Sequence, residues 1–351
     1  MLNTESLNES ENWDEIVRSF SEYDIYYLSG YVKAFHFHGD GEPLLFYYEG
    51  KDIRGINVVM KRDVALDEHF KDKIPVNMYF DFSTPYGYGG WVTEGSGATE
   101  ELFKTYKNWC MKNNIISEFV RYHPVINNFH ISQDAYEAIE HGNTIAIDLS
   151  SPEGIWENFT SQNRNKIRKA LKAGIKIYNG RYPEIFSEFQ EIYNKTMDKD
   201  NATDYYYFKN EFYQSVMNDL KYGSQIFYAV YDNKLIAVSI VLGANGFLSY
   251  HLSGSLKEYQ NYAPTNLLLY EVAMWGNMNG FKTLHLGGGV GGSAKDSLYQ
   301  FKKGFYRKEP CKFYIGKKIF NQGKYDYLLN LRKSLDNNFD VNTGFFPKYR
   351  G

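Results

Sequence analysis

Gln225-Ile226-Phe227-Tyr228-Ala229-Val230-Tyr231, then Asp232-Asn233, then Lys234-Leu235-Ile236-Ala237-Val238-Ser239-Ile240-Val241-Leu242 is the stretch on which the fold turns. β-Branched and aromatic residues fill both runs and a polar two-residue step separates them, so the stretch predicts a β-hairpin. Asn245-Gly246 turns the chain into a third strand, Phe247 to Ser253. A helix from about Pro264 to Asn279 follows, with proline suited to its first turn and Gly280 to its C-terminal end, and then a strand, Phe281 to Leu286.

The first half repeats this grammar. Pro43 to Tyr48 and Ile53 to Lys61 flank a turn at Glu49-Gly50-Lys51-Asp52. A helix from about Thr99 to Asn114 carries Leu102, Phe103, Tyr106, Trp109 and Cys110 on one stripe, and Ile115 to Tyr122 reads as its following strand. Two copies of hairpin, helix and strand predict two α+β domains with mixed central sheets flanked by helices. The expected domains are residues 1–150 and 151–351, joined near Asp148 to Pro152, with the last ~30 residues free to pack back on the first.

Composition narrows the class. The 351 residues hold 39 Lys and Arg against 42 Asp and Glu, a net charge of −3, which excludes a globally basic DNA binder and a disordered acidic chain. Two cysteines, Cys110 and Cys311, cannot build a disulfide framework or a Cys-rich zinc site, and no histidine stands beside them in ligand spacing. No metal is expected. The first 24 residues carry seven acids and one base, the reverse of a secretory leader, and the apolar run Leu235 to Ala244 falls far short of the ~20 residues that cross a bilayer. A cytoplasmic protein is expected, with peripheral contact to a membrane left open. The aromatic content of 18% has two readings, tyrosines lining a ligand pocket or a codon-biased genome.

Charge is locally uneven. Residues 161–181 hold seven bases and no acid; residues 301–324 hold eight bases against Glu309. Both lie in the expected second domain, where they can converge on an anionic ligand or simply be solvated faces. Gly287 to Gly292 contains GxGxxG, but no βαβ unit surrounds it and no acid-tipped strand follows, so it is not read as a dinucleotide site. Its backbone N–H groups, Gly288 among them, can still polarise a carbonyl or hold phosphate. The loop from Asp81 to Trp91 presents Tyr86 and Tyr88 as candidate ligand contacts beside Asp81. On the third strand Tyr250 and His251 point to opposite faces, so only one of them is expected to meet a ligand. No GxSxG elbow and no Walker lysine are present.

Several strings in fixed order resemble one family: Asn165-Lys-Ile-Arg168-Lys169-Ala170, Tyr193-Asn-Lys-Thr196-Met197, Tyr250-His-Leu-Ser-Gly254-Ser255, Pro264-Thr-Asn-Leu-Leu268, and Gly287-Gly288 followed by Phe301-Lys302-Lys-Gly304-Phe305. Across about residues 150–320 they are similar to the Fem-type aminoacyltransferases of the GNAT superfamily, which build peptidoglycan interpeptide bridges. Related uncharacterised proteins occur with envelope polysaccharide genes. Glu118 to Pro124 and Tyr86 to Gly90 extend the likeness into the first half.

The resemblance implies tandem GNAT-like domains and N-acylation, in which an amine on a small or lipid-linked envelope precursor attacks an activated acyl carbonyl. It maps the family's Phe-Lys pair onto Phe301 and Lys302, with Tyr250 beside them in the catalytic set. Arg168, Lys169 and Lys199 become anion contacts, and His251, Gly288, Asp81, Tyr86 and Tyr88 substrate contacts. No tightly bound cofactor is implied. Between Ser255 and Pro264 the pyrophosphate loop of ordinary acetyl-CoA enzymes is missing, which favours aminoacyl-tRNA over acyl-CoA as donor. Tyr86 to Gly90 stand where the family's peptidoglycan enzymes carry a Gly-Pro motif, so the acceptor, a peptidoglycan precursor or an amino sugar, stays open. A non-catalytic module binding anionic glycans is the reading from a different class.

Overall fold

The computed structural model describes all 351 residues. In chain order the elements are β1 (Leu2–Glu5), α1 (Ser10–Arg18), α2 (Ser29–His38), β2 (Glu42–Glu49), β3 (Ile53–Asp63), β4 (Phe80–Ser83), β5 (Val92–Gly95), α3 (Glu100–Lys112), β6 (Ile115–Arg121) and α4 (Phe129–Ser132). There follow β7 (Glu137–Asp148), α5 (Pro152–Asn158), α6 (Ser161–Lys172), β8 (Lys176–Gly180), α7 (Pro183–Lys199), α8 (Asn210–Asn218), β9 (Ser224–Tyr231), β10 (Lys234–Ala244) and β11 (Phe247–Ser255). The chain ends with α9 (Pro264–Met278), β12 (Thr283–Gly287), α10 (Ser297–Lys303), β13 (Cys311–Ile319) and α11 (Gln322–Leu335). No helix is long and apolar enough to cross a membrane.

Two compact units result: residues 1–141 with 313–351, and residues 142–312. In the first, the strands run in the order β1, β2, β3, β4, β6, β13, with β5 on a second stretch of β3. In the second the order is β8, β9, β10, β11, β12, β7. Each unit therefore has an antiparallel hairpin, a third antiparallel strand, a helix, and a fourth strand that returns parallel to the third: β4 with β6 across α3, and β11 with β12 across α9. A parallel return needs a helical crossover, which explains why the same helix recurs at the same place in both halves. Each sheet then receives one more antiparallel strand, β13 beside β6 and residues 145–148 of β7 beside β12.

The cores follow the predicted stripes. Leu102, Tyr106 and Cys110 of α3 pack with Phe46, Val59, Phe82 and Trp91. Leu268, Leu269, Val272 and Ala273 of α9 pack with Phe227, Ala229, Val241, Leu284 and the α6 residues Ile167 and Ala170. A further cluster in the first unit joins Val64, Phe70, Ile74 and Ile116 to Tyr325, Leu328 and Tyr349. The basic segment 301–324 does not act as one body. Lys302 and Lys303 belong to the second unit, whereas Lys317, Lys318 and Lys324 belong to the first.

Glu118 lies inside the first unit, where its carboxylate accepts hydrogen bonds from Tyr136 (2.5 Å), Tyr106 (3.1 Å) and Asn57 (3.3 Å). Burial outweighs these donors and pushes its carboxyl up to about 7. A carboxyl raised on folding is stabilising while protonated, and that contribution is lost as pH rises from the ordinary carboxyl range through about 7. Glu118→Gln is therefore expected to gain stability relative to wild type at pH 8 and little at pH 5. Denaturant titrations at the two pH values check this, and equal differences would refute it.

Candidate functional site

β12 ends in the Gly-rich loop, and Asp296 then caps α10 by accepting from the Tyr299 N–H at 2.8 Å. The loop folds tightly on this cap: a Cβ at Gly289 would stand 2.0 Å from Asp296 Oδ1. Lys302, near the end of α10, is 8% exposed and donates to the Gly288 carbonyl at 2.7 Å. Burial lowers its ammonium to about 8 against a smaller opposing pull from Asp296, so it remains a cation at neutral pH. An ammonium has three donors, and Gly288 uses one. Two are left unused, and no carboxylate is ion-paired with this lysine. Phe301 turns to Phe305, whose buried ring packs edge-on to Phe159.

α10 is tied to the start of α6. The Thr160 N–H and hydroxyl both donate to the Gly304 carbonyl, at 2.9 and 3.2 Å, and Thr160 Oγ1 caps α6 by accepting from Asn163. Buried Asn163 accepts from buried Asn266 of α9 at 2.6 Å, while its own Nδ2 has no partner. Asn266 sits in one of the quoted strings, but nothing local in the sequence marks Thr160 and Asn163 as the joint between three helices.

The parallel pairing of β11 with β12 covers Phe247–Ser249 and Thr283–His285 and stops there. Tyr250 lies immediately past that point on β11, Gly287 closes β12 and Gly288 follows it, so the carboxyl ends of the two paired stretches frame this part of the unit, a placement common for ligands in α/β sheets. The Tyr250 hydroxyl donates to Ser253 at 2.6 Å, and burial raises it to about 12, which keeps it a neutral donor. His251 faces the other way, and burial lowers its imidazole to about 3, so it stays neutral through the physiological range. α7 crosses β11 so closely that a Cβ at Gly254 would meet the Ile192 carbonyl at 2.8 Å, and Thr196 Oγ1 accepts from Ser255 N–H at 3.0 Å. Two strings far apart in sequence are thereby joined.

The remaining expected contacts divide. Arg168 and Lys169 are exposed on α6, with Arg168 over the Trp156 ring at 5.2 Å. Lys199 already pairs with Asp200 at 3.2 Å. In the first unit, Tyr86 stacks on Phe35 with ring centroids 5.3 Å apart, and Tyr88 packs edge-on against Tyr26, His123 and Phe313. Asp81 requires a correction. It is fully buried, with one oxygen on Arg62 Nε (2.7 Å) and the other on Arg350 Nε (2.6 Å) and the Tyr349 hydroxyl (3.0 Å). Both oxygens are committed inside the fold, so Asp81 anchors the C-terminal segment and is closed to a substrate.

The acetyltransferase (GNAT) domain family matches residues 158–303. Over 159 residues the chain is 26% identical to UDP-N-acetylmuramoylpentapeptide-lysine N(6)-alanyltransferase of Weissella viridescens; the match covers 45% of this chain and 46% of that protein, about half the length of each. In fold, the crystal structure of FemX superposes with a TM-score of 0.66 at 14% identity, covering 93% of this chain and 99% of the other. L-PGS from Bacillus licheniformis gives 0.58 at 14% identity, covering 92% and 96%. Residues 158–303 thus match a GNAT domain, and over about half of its length the chain is similar in sequence to a Fem-type alanyltransferase.

Proposed function

We propose that the protein is an N-acyltransferase that moves an aminoacyl group from aminoacyl-tRNA to an amine on a nucleotide- or lipid-linked cell-envelope precursor, working in the cytoplasm. The observation that carries this reading is the Lys302 ammonium, buried without a carboxylate partner and held on the Gly288 carbonyl. In the transfer, a deprotonated acceptor amine attacks the ester carbonyl carbon, and the carbonyl oxygen becomes an oxyanion. A cation fixed in a low-dielectric site stabilises that charge more than water does. Collapse breaks the ester C–O bond and forms the amide; the amine's proton leaves with the ribose oxygen or to solvent. The amine is itself the nucleophile, so no covalent intermediate on the protein is needed.

The donor assignment draws on α6 and the strand after it. Lys166, Arg168, Lys169, Lys172 and Lys176 are exposed, no carboxylate is ion-paired with any of them, and no acid occurs in residues 161–181. Thr160, which caps α6, is bonded to Gly304 two residues from Lys302, and at 1.5 Å per residue the 12 residues of the helix extend roughly 18 Å from that point. Such a row suits the phosphates of an acceptor stem whose aminoacyl end reaches Lys302. The peptidoglycan acceptor draws support from the Weissella viridescens relative, which by its name acylates the lysine of a UDP-N-acetylmuramoylpentapeptide.

Incubation with radiolabelled alanyl-, glycyl-, seryl- and lysyl-tRNA and a UDP-linked pentapeptide or amino sugar is expected to give labelled, acid-stable product. Transfer from acyl-CoA alone would overturn the donor assignment. No transfer with any donor and acceptor pair would overturn the enzyme reading.

A further inference from the structure

Arg121 closes β6 in the first unit and carries a charge that nothing in the protein answers. Its Nε donates to the Gly87 carbonyl at 2.8 Å, and its guanidinium carbon lies 5.2 Å from the Phe313 ring centroid and 5.8 Å from that of Tyr88. The two rings meet edge-on at 5.5 Å. Neither terminal nitrogen has a hydrogen-bond partner and no carboxylate pairs with it, so a planar fork of four N–H donors is held in place and left unused. The rings are fixed from behind: Tyr88 packs on Tyr26 and on His123, which is buried and bonded to buried Asp24 at 2.8 Å.

Two more basic groups share this face of the sheet. Arg121 stands opposite Ile315 on β13, and Lys317 opposite Phe119, so Phe313, Ile315 and Lys317 project on the same side as Phe119 and Arg121. Lys317 has no ion pair; its Nζ lies 5.9 Å from the Phe346 ring. The His141 imidazole meets the Phe313 ring edge-on at 5.7 Å. Burial lowers its pKa first, and the positive charges of Arg121 and Lys317 lower it further, which places the three groups within one field. Glu140, the adjacent acid, alternates to the other side, where it accepts from the Tyr314 hydroxyl at 3.4 Å.

An arginine whose only role is to pin the Tyr86–Gly90 loop needs one hydrogen bond to Gly87 and no cationic company. We propose that Arg121, Lys317 and His141 form a binding subsite for a phosphate or diphosphate group, seated beside the Tyr88 and Phe313 rings. The fork of Arg121 matches two phosphate oxygens side by side, and Lys317 supplies a compact second charge. Two cations and an imidazole that gains a proton in the presence of an anion suit a dianion better than a single carboxylate. This deepens the acceptor half of the function proposed above and rests on it for what carries the phosphate: a nucleotide or lipid diphosphate offers the required group.

Binding is measurable without a donor. Inorganic pyrophosphate titrated into the full-length protein, followed by calorimetry and by the imidazole resonances of His141, is expected to bind and to raise the His141 pKa. Lys317→Ala and Arg121→Lys are each expected to weaken binding about 10-fold, as for loss of a charge-assisted hydrogen bond, with an unchanged melting temperature. Malonate serves as the dicarboxylate control. Malonate binding as tight as pyrophosphate would replace the phosphate assignment with a carboxylate, and pyrophosphate binding indifferent to both substitutions would overturn the subsite. A protein that binds pyrophosphate here but transfers no acyl group loses the transferase reading alone; one that transfers normally but fails these titrations loses the subsite alone.

Discussion

Lys302→Met is expected to make the protein more stable and nearly inactive. Folding takes the ammonium from an ordinary 10.5 to about 8, so burying the charge at neutral pH costs about 3 kcal/mol. Methionine fills a similar volume without that cost, and loses the hydrogen bond to Gly288, worth ~1 kcal/mol. The net gain is about 2 kcal/mol, or a melting temperature about 5 °C higher for a unit of this size. The sign of its pH dependence is fixed. Between about 8 and 10.5 the unfolded chain holds the proton that the folded one has released, so wild-type stability rises with pH across that window and the advantage of methionine disappears. Activity should move the opposite way, falling by about 100- to 1000-fold, the usual effect of removing one donor to a developing oxyanion. Wild-type transfer should also decline above about pH 8 as Lys302 loses its charge. Calorimetric melts beside single-turnover rates test both halves. A variant less stable than wild type refutes the burial cost, and one that keeps its rate refutes the assignment of this lysine to the chemistry.

Asp81→Ala should unfold the first unit far more readily. The substitution leaves Arg350, 9% exposed on its side chain, and Arg62 without the carboxylate that both share. Removing one member of a buried pair typically costs 3–5 kcal/mol, about 10 °C in melting temperature here. Burial by itself would raise the Asp81 carboxyl, but Arg350 and Arg62 together win and hold it below its ordinary 3.8. A carboxyl lowered on folding contributes fully above that ordinary value and loses the contribution as pH falls through its folded pKa, so the wild-type advantage over the variant should shrink only in strong acid. Tyr349 shares the anchor through its hydroxyl, which bonds Asp81 and Ser117 at 3.0 and 3.1 Å. Asp81→Ala and Arg350→Ala should accordingly combine to less than the sum of their separate effects. Additive losses in denaturant titrations would mean that the two residues do not act as one anchor.

The repeated grammar was readable because hairpins and amphipathic helices declare themselves locally. The stretches 225–242 and 43–61 became β9 with β10 and β2 with β3, and the expected helices differ from α3 and α9 by at most two residues at either end. β7, β8 and β13 carry too little alternation to stand out: β13 reads Cys-Lys-Phe-Tyr-Ile-Gly-Lys-Lys-Ile, and its place beside β6 is decided by a partner almost 200 residues away. The same limit applied to sites. Lys302 lay in a recognisable string, and its burial fits a role there. Asp81 lay in an equally suggestive loop, yet Arg350, remote in sequence, consumes it. Arg121, Lys317 and His141 come together only through β-sheet register, which no local period encodes.

The first unit borrows its β13, α11 and the Tyr349 plug from the end of the chain, while residues 142–312 form the second without interruption. Synthesis on the ribosome runs against that arrangement. The second unit has all of its residues before Arg350 is made, but the strand that pairs with β6 follows it by almost 200 residues and Arg350 follows Asp81 by 269. At ribosomal rates of ~5–20 residues per second, the N-terminal strands wait roughly 10–40 s for them. During that interval β6 has an open edge, and Asp81 is a carboxylate still waiting for the partner that will bury it.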